Sequence, residues 1–221
     1  MGMTELKHLE LLSVIGEDGA LYRGSDQHWY PKDGFIPQGG CGAATASNLL
    51  AYILRTRQDL FSIVEKTGLD GLAPPLPCKS PNTKDGYIEF MKKVYRFMYP
   101  RAGGLMADVF TFGITELAAE YSLPFTPLLL RVPIGRLKRP DFNHIAGFIQ
   151  LSLETDMPVA FLILSKGNVK ELDTWHWVTV IGLDEVGKSV EVLDNGVVVR
   201  ANLETWLNTS IMGGSFVRLK V

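Results

Sequence analysis

The pattern of apolar residues changes at Pro124, and this change restricts the folds that the chain can adopt. Before Pro124, apolar residues recur at spacings of three and four, which is the period of an amphipathic helix. After it, short β-branched and aromatic runs are joined by turn residues such as Asp194-Asn195-Gly196, as in antiparallel sheets. A helical first half followed by an antiparallel second half predicts an α+β fold.

The first half is expected to be mainly helical, with one extended loop. The strongest helical pattern covers residues 42–57, because neither glycine nor proline occurs between Gly42 and Gly68. Four prolines within residues 72–82 exclude a helix there and predict a loop that carries Cys78. The predicted helices are residues 42–57, 60–66, 86–99 and 111–123.

The second half is expected to form an antiparallel sheet with one longer helix. The predicted strands are residues 125–132, 159–164, 174–183, 189–193, 197–200 and 215–221. The helix is predicted at residues 143–154, and one helical turn at residues 202–207. We expect a single domain over residues 1–221, with a helical lobe (1–123) and a β lobe (124–221).

Charge and hydropathy exclude several classes of protein. The 22 basic and 24 acidic residues give a formal net charge of −2, which argues against a general nucleic-acid binder. No apolar run approaches the ~20 residues of a membrane helix, and residues 1–21 lack the features of a signal peptide. We therefore expect a cytoplasmic protein with no membrane partner, in which both cysteines remain thiols.

One stretch, residues 131–140, is rich in basic side chains. Its four basic residues are Arg131, Arg136, Lys138 and Arg139. We interpret this stretch as a solvated loop, because runs of charge usually face water.

Cys41 stands at the start of the strongest predicted helix. The unpaired N–H groups and the positive dipole end of a helix start favour a thiolate over a thiol. Gly39, Gly40 and Gly42 would let the backbone bend and leave room for a substrate carbonyl. Gln38 offers a side-chain amide that could hold an oxyanion. The sequence therefore predicts a nucleophile at Cys41.

A thiol nucleophile needs a base, and the base needs an acceptor that orients it. His176 is the only histidine in a strand-like run, and Asp194 ends the next predicted strand. Adjacent antiparallel strands would place the Asp194 carboxylate beside the His176 imidazole. Asn195 is the alternative orienting residue. The sequence predicts a Cys41, His176 and Asp194 triad.

The aromatic neighbours of His176 and the remaining histidines are expected to be structural. Trp175 and Trp177 would point to the opposite face of the His176 strand and into the core. His28 and His144 are interpreted as ordinary surface or packing residues.

The motifs around these residues resemble those of papain-fold cysteine peptidases. The similar stretches are residues 38–46 with 49–52, residues 175–184 and residues 192–194. The nearest branch is that of the bacterial leader-processing peptidases, with motifs Gln, Cys-Gly-(Pro or Ala)-Ala, His-Trp-Val and Asp. The resemblance implies a papain-like fold, no metal, and cleavage or transfer of an acyl group through a thioester. Residues 58–157 show no specific match.

Two features depart from the family pattern. Gln38 stands closer to Cys41 than the oxyanion glutamine of that branch, which makes Gln27 the alternative donor. In papain itself a second cysteine follows the first by three residues and is the nucleophile. That register would put Ala44 at the nucleophile position and imply a disulfide between Cys41 and Cys78.

The triad and the resemblance together predict a cysteine peptidase-like hydrolase that acts on a peptide or small amide. No cofactor or metal is expected, because the cysteines and histidines lack zinc-ligand spacing and no glycine-rich phosphate loop follows a strand. Two alternatives remain open. A papain-fold acyl or amide transferase would use the same triad, and an inactive binding module would keep Cys41 as a structural residue.

Overall fold

The computed structural model describes residues 2–32, 39–99 and 104–221, which form helices packed on a large sheet. The α-helices are α1 (Cys41–Thr56), α2 (Gln58–Thr67), α3 (Lys84–Met98), α4 (Ala107–Glu120), α5 (Phe142–Leu153) and α6 (Leu203–Thr209). The strands are β1 (Met3–Glu5), β2 (Ser13–Ile15), β3 (Leu21–Arg23), β4 (Asn82–Thr83), β5 (Thr126–Val132), β6 (Val159–Ile163), β7 (His176–Asp184), β8 (Ser189–Asp194), β9 (Val197–Asn202) and β10 (Gly214–Lys220).

The main sheet has seven strands, and all its pairings are antiparallel. Six strands follow the order β5-β10-β6-β7-β8-β9, and β1 pairs with the last residues of β7. A separate sheet of three short strands has the order β3-β2-β4. β7 therefore lies at the centre of the main sheet, between β6 and β8.

The predicted division between helices and strands is confirmed. Helices α1–α4 precede residue 124, and strands β5–β10 follow it. The proline-rich loop connects α2 to α3, and its last two residues form β4. Helix α4 starts at Ala107, four residues before the predicted start, with Asp108 in its first turn. A carboxylate there is stabilised by the positive end of the helix dipole.

Helix α1 is buried on every side, whereas its sequence pattern marks only one apolar face. Every residue from Cys41 to Arg55 is buried. The helix lies between β7, α2, α3 and the 3₁₀ turn Leu9–Leu12. Alanines at 43, 44, 46 and 51 keep its surface narrow enough for these neighbours to approach. Burial fixes both ends of α1 relative to the sheet.

The N-terminal segment adds a strand to the main sheet. β1 pairs with β7 through Met3 opposite Asp184 and Glu5 opposite Gly182. Leu6 N–H extends this pairing with a hydrogen bond to the Ile181 carbonyl (3.0 Å). β1 pairs with the end of β7 that lies farthest from His176, so it does not cover the His176 end.

Among the described residues, none of the helices combines the length and the apolar character that a bilayer crossing requires.

Candidate active site

Cys41 is the first residue of α1. Its backbone N–H therefore has no hydrogen-bond acceptor within the helix, because no helical residue lies one turn before it. Gly40 occupies the N-cap position and has no side chain that could bond the first turn. The Cys41 residue is 4% exposed, which places the sulfur in a protected environment.

His176 and Asp194 meet because β7 begins where its antiparallel neighbour β8 ends. The register pairs Thr179 with Leu193, so the first residue of β7 and the last residue of β8 lie at the same end of the two strands. His176 Nε2 lies 2.7 Å from Asp194 Oδ1. His176 is 7% exposed, so this charge-assisted hydrogen bond is shielded from water.

Cys41 and His176 line the same cavity, and the interaction with the Cys41 side chain contributes to the pKa of His176. Since Nε2 faces Asp194, Nδ1 is the ring nitrogen left for the sulfur. Burial alone would lower the pKa of His176, but the hydrogen bonds and charges of Asp194 and Cys41 outweigh it and raise the pKa to about 10. The three side chains predicted from sequence therefore form one connected series.

The turn after Asp194 contains the alternative orienting residue, and the structure gives it another partner. Asn195 (φ 44°) and Gly196 (φ 81°) both adopt the left-handed backbone of a two-residue hairpin turn. Asn195 Oδ1 accepts a hydrogen bond from the Gln27 backbone N–H (3.4 Å). Asp194, and not Asn195, contacts His176.

Of the two glutamines expected at the oxyanion, Gln27 lies beside the site and Gln38 lies outside the described residues. Gln27 begins a 3₁₀ turn, Gln27–Trp29, beside Asn195, which lines the same cavity as Cys41. Within the described part of the chain, the buried Gln27 Oε1 has no hydrogen-bond partner.

Asn48 connects three elements around the site, and its importance is not evident from the sequence. Its Nδ2 donates to Thr179 Oγ1 on β7 (3.1 Å). Its Oδ1 accepts from the Ser25 N–H (2.7 Å) and the Tyr87 hydroxyl (3.1 Å). Asn48 lies two helical turns after Cys41, and Thr179 lies three residues after His176. The Asn48 bonds therefore hold α1 against β7.

Gly42 allows α1 to pack closely against its neighbours. It does not leave the space that we predicted for a substrate carbonyl. A Cβ at Gly42 would lie 2.5 Å from Leu105 Cδ2 and 3.2 Å from Trp177 Cδ1. Trp177 donates from Nε1 to the Leu105 carbonyl (2.6 Å) and stacks on Phe110 of α4. The start of α1 is thus pressed against a buried aromatic pair.

The prediction for the tryptophans is right for Trp177 and wrong for Trp175. Trp177 is 2% exposed, whereas Trp175 is 50% exposed. Trp175 precedes β7 and has a left-handed backbone (φ 58°), which takes its side chain out of the strand alternation. An exposed tryptophan therefore lies directly before His176.

The space between the functional side chains is small. A cavity of about 10 Å³ is bounded by Cys41, His176 and Asp194, together with Ser25, Ala44, Thr45, Asn48, Trp177, Leu193 and Asn195. This volume holds about one water molecule.

Cys41 and Cys78 are both free thiols and are far apart. The Cys78 carbonyl accepts from Arg55 Nη2 (3.3 Å), near the last turn of α1. Arg55 is fourteen residues after Cys41, which corresponds to roughly 21 Å along a helix. The disulfide implied by the alternative papain register is therefore absent, because bridged Cα atoms lie within about 7 Å.

Cys78 is a chemically distinct thiol. The Ser80 side chain and backbone N–H both hydrogen bond to it and hold its pKa below the usual range, with a smaller contribution from the Arg55 charge. The side chain is partly exposed. Cys78 is therefore an accessible thiol that must be distinguished from Cys41 in any labelling experiment.

Groups of histidine, cysteine and acidic side chains that could hold a metal ion are absent from residues 2–32, 39–99 and 104–221.

No protein-family model matches the chain, and no curated protein matches it in sequence. The functional argument therefore depends on the geometry of the site.

Proposed function

We propose that the protein is a cysteine peptidase-like hydrolase with a papain-like fold, which cleaves an amide bond through a thioester on Cys41. The observation that carries the proposal is the connected series of Cys41, His176 and Asp194. A thiol at a helix start, an imidazole in contact with it and a carboxylate on the second ring nitrogen meet the geometric requirements of nucleophilic catalysis. The cytoplasmic location predicted from sequence would keep the thiol reduced.

The first half of the reaction forms the acyl-enzyme. His176 is protonated at neutral pH because its pKa is about 10, and the Cys41 thiolate beside it attacks the carbonyl carbon of the substrate amide. When the tetrahedral intermediate collapses, the C–N bond breaks and His176 gives its proton to the departing amine. Asp194 stabilises the imidazolium before this transfer and fixes the ring so that Nδ1 faces the sulfur.

The second half releases the product. Water attacks the thioester carbonyl while His176 takes one of its protons, and the C–S bond breaks. The sulfur leaves as a thiolate beside the protonated imidazole, so Cys41 and His176 regain their starting states. The Cys41 N–H is one donor for the oxyanion in both halves, and an amide from Gln38 or Gln27 is the second. The position of Gln27 beside Asn195, which lines the same cavity as Cys41, supports Gln27 in this role.

A peptide library tests the proposal across many candidate substrates at once. Amine-blocked peptides and small aryl amides are incubated with the wild-type protein and with Cys41→Ala, and new amines are identified by mass spectrometry. We expect cleavage products with the wild type only. Cys78→Ser is the matched control, because it removes the thiol that lies far from His176, and it should retain full activity.

The same experiment separates hydrolysis from transfer. Reactions are run with and without an amine acceptor such as glycinamide: a hydrolase releases carboxylates without it, whereas a transferase forms product only when it is present, as the new amide. If neither product forms in any reaction while Cys41 remains reactive in its native state, amide cleavage is not the activity of this site.

A further inference from the structure

A cavity lies away from Cys41, at the opposite end of β7. It has a volume of about 530 Å³, which is within the range of small-molecule sites. Lys188, in the turn after β7, lines this cavity. β7 runs for nine residues from His176 to Asp184, so the two sites are roughly 26 Å apart along the strand. The cavity is therefore separate from the candidate active site.

Basic side chains from two parts of the chain meet in this cavity. Arg136 and Arg139 come from the basic stretch interpreted above as a solvated loop, and Lys188 comes from the β7–β8 turn. Lys188 Nζ lies over the Phe142 ring, 4.0 Å from its centroid. Within the part of the chain that the structure describes, none of these three cations forms a salt bridge with a carboxylate.

Arg139 is a fixed part of this cavity. Its Nε donates to the Pro133 carbonyl (2.8 Å), and its Nη1 donates to the carbonyls of Leu207 (2.8 Å) and Ser210 (3.0 Å). These partners are neutral, so the guanidinium charge is not compensated by them. Burial and the nearby charge of Arg136 lower the pKa of Arg139, which agrees with two cations held close together. Arg139 lies in the predicted loop and is partly exposed, with fixed partners in neighbouring segments.

Two acidic residues also line the cavity, and they do not neutralise it. Asp141 Oδ1 accepts the His144 N–H (2.8 Å) and caps α5. Glu204 lies in the first turn of α6 and forms no salt bridge with a described residue. Three cations against two carboxylates leave an excess of positive charge, in a protein whose formal net charge is −2. A long polyanion would be repelled by the rest of the chain, whereas a small anion would not.

We propose that this cavity binds a small molecule carrying phosphate groups. Arg136 and Lys188 supply the guanidinium and ammonium donors that such groups prefer. Arg139 adds its positive charge, since most of its N–H groups already bond to carbonyls. The Phe142 ring forms part of the wall beside Lys188. This binding is independent of the chemistry at Cys41.

Titration calorimetry with inorganic pyrophosphate tests the site in the whole chain at about physiological salt. We expect saturable binding with one molecule per chain. Arg136→Ala and Lys188→Met should each weaken it about tenfold, the effect of losing one charged hydrogen bond. Lys138→Ala is the matched control, because it removes the same charge from the same stretch but does not line the cavity. Circular dichroism checks that each variant is folded.

The inference is overturned if pyrophosphate does not saturate below about 10 mM. It is also overturned if Lys138→Ala weakens binding as much as Arg136→Ala, because the effect is then nonspecific screening. Heparin provides a further arm. Binding of heparin without binding of pyrophosphate would assign the surface to a polyanionic macromolecule and would contradict a small-molecule site.

Discussion

His176 Nε2 and Asp194 Oδ1 lie 2.7 Å apart, with both side chains largely shielded from water. Asp194 is at the same time the last residue of β8 and the residue that leads into the Asn195-Gly196 turn. The hairpin that joins β8 to β9 therefore fixes the carboxylate that faces His176. The same residue thus ends β8 and contacts the imidazole of His176.

Replacing Asp194 by Asn should leave the turn intact and disable the imidazole. Asparagine fits the turn but cannot stabilise an imidazolium by charge, so kcat/KM for a cleaved library peptide should fall by roughly 10²–10⁴-fold. The pKa of His176, followed by NMR, should fall from about 10. Asp184→Asn is the matched control, since Asp184 ends β7 at the opposite edge and bonds the Gly187 N–H. Equal activity in the two variants would contradict the triad.

Local patterns in the sequence are sufficient to predict most elements of the fold. The three- and four-residue spacing after Cys41 predicts α1, and β-branched and aromatic runs between turn residues predict β7 and β8. The meeting of His176 with Asp194 follows from the antiparallel order of neighbouring strands. These features depend on residues close together in the chain, where periodicity is informative.

Long-range contacts around the site cannot be predicted from such patterns. The Asn48 bonds join residues up to 131 positions apart, and one polar residue in an apolar helix does not indicate its partners. The exposure of Trp175 depends on a single left-handed backbone angle that interrupts strand alternation. The packing of Gly42 against Leu105 is set by where α4 docks on the sheet.

The stability of the protein should depend on pH through His176. An unfolded histidine titrates near ~6.5, whereas the folded pKa is about 10. The folded state therefore holds this proton more tightly, and the resulting stabilisation is complete below pH ~6.5 and lost as pH rises through 10. The free energy of unfolding of the wild type minus that of His176→Gln should shrink by a few kcal/mol between pH 6 and 10. Urea denaturation at both pH values measures it, and a constant difference would refute the raised pKa.

Alkylation of Cys41 should depend on His176, and alkylation of Cys78 should not. Iodoacetamide reacts with thiolates, and the His176 contact favours transfer of the Cys41 proton. In His176→Gln, labelling of Cys41 should slow about tenfold or more at pH 6.5. Peptide-resolved mass spectrometry follows both thiols in one sample, with Cys78 as internal reference. A parallel slowing of both cysteines would indicate a general structural change.

Loss of the Asn48 to Thr179 hydrogen bond should loosen the contact between α1 and β7. Thr179→Val leaves Asn48 Nδ2 buried without this acceptor, at a cost of about 1–3 kcal/mol in the free energy of unfolding. Cys41 labelling should slow as well, because the helix and the strand that carry the site are no longer held together. Thr205→Val is a control for the same chemical change at a partly exposed position of α6. If Thr179→Val loses stability but labels Cys41 at the wild-type rate, the bond is structural only.

Two helical glycines should respond oppositely to alanine. A Cβ at Gly42 meets Leu105 and Trp177, so Gly42→Ala must displace side chains beside Cys41 and should cost about 1–3 kcal/mol. A Cβ at Gly147 in α5 has nothing within 4 Å, so Gly147→Ala should stabilise the protein by about 0.5–1 kcal/mol through helix propensity. Urea denaturation measures both changes. Cys41 labelling should change only in Gly42→Ala, because the displaced Trp177 is the neighbour of His176 in β7. If Gly42→Ala stabilises the protein, the start of α1 has room for a methyl group, which would contradict its close contact with Leu105 and Trp177.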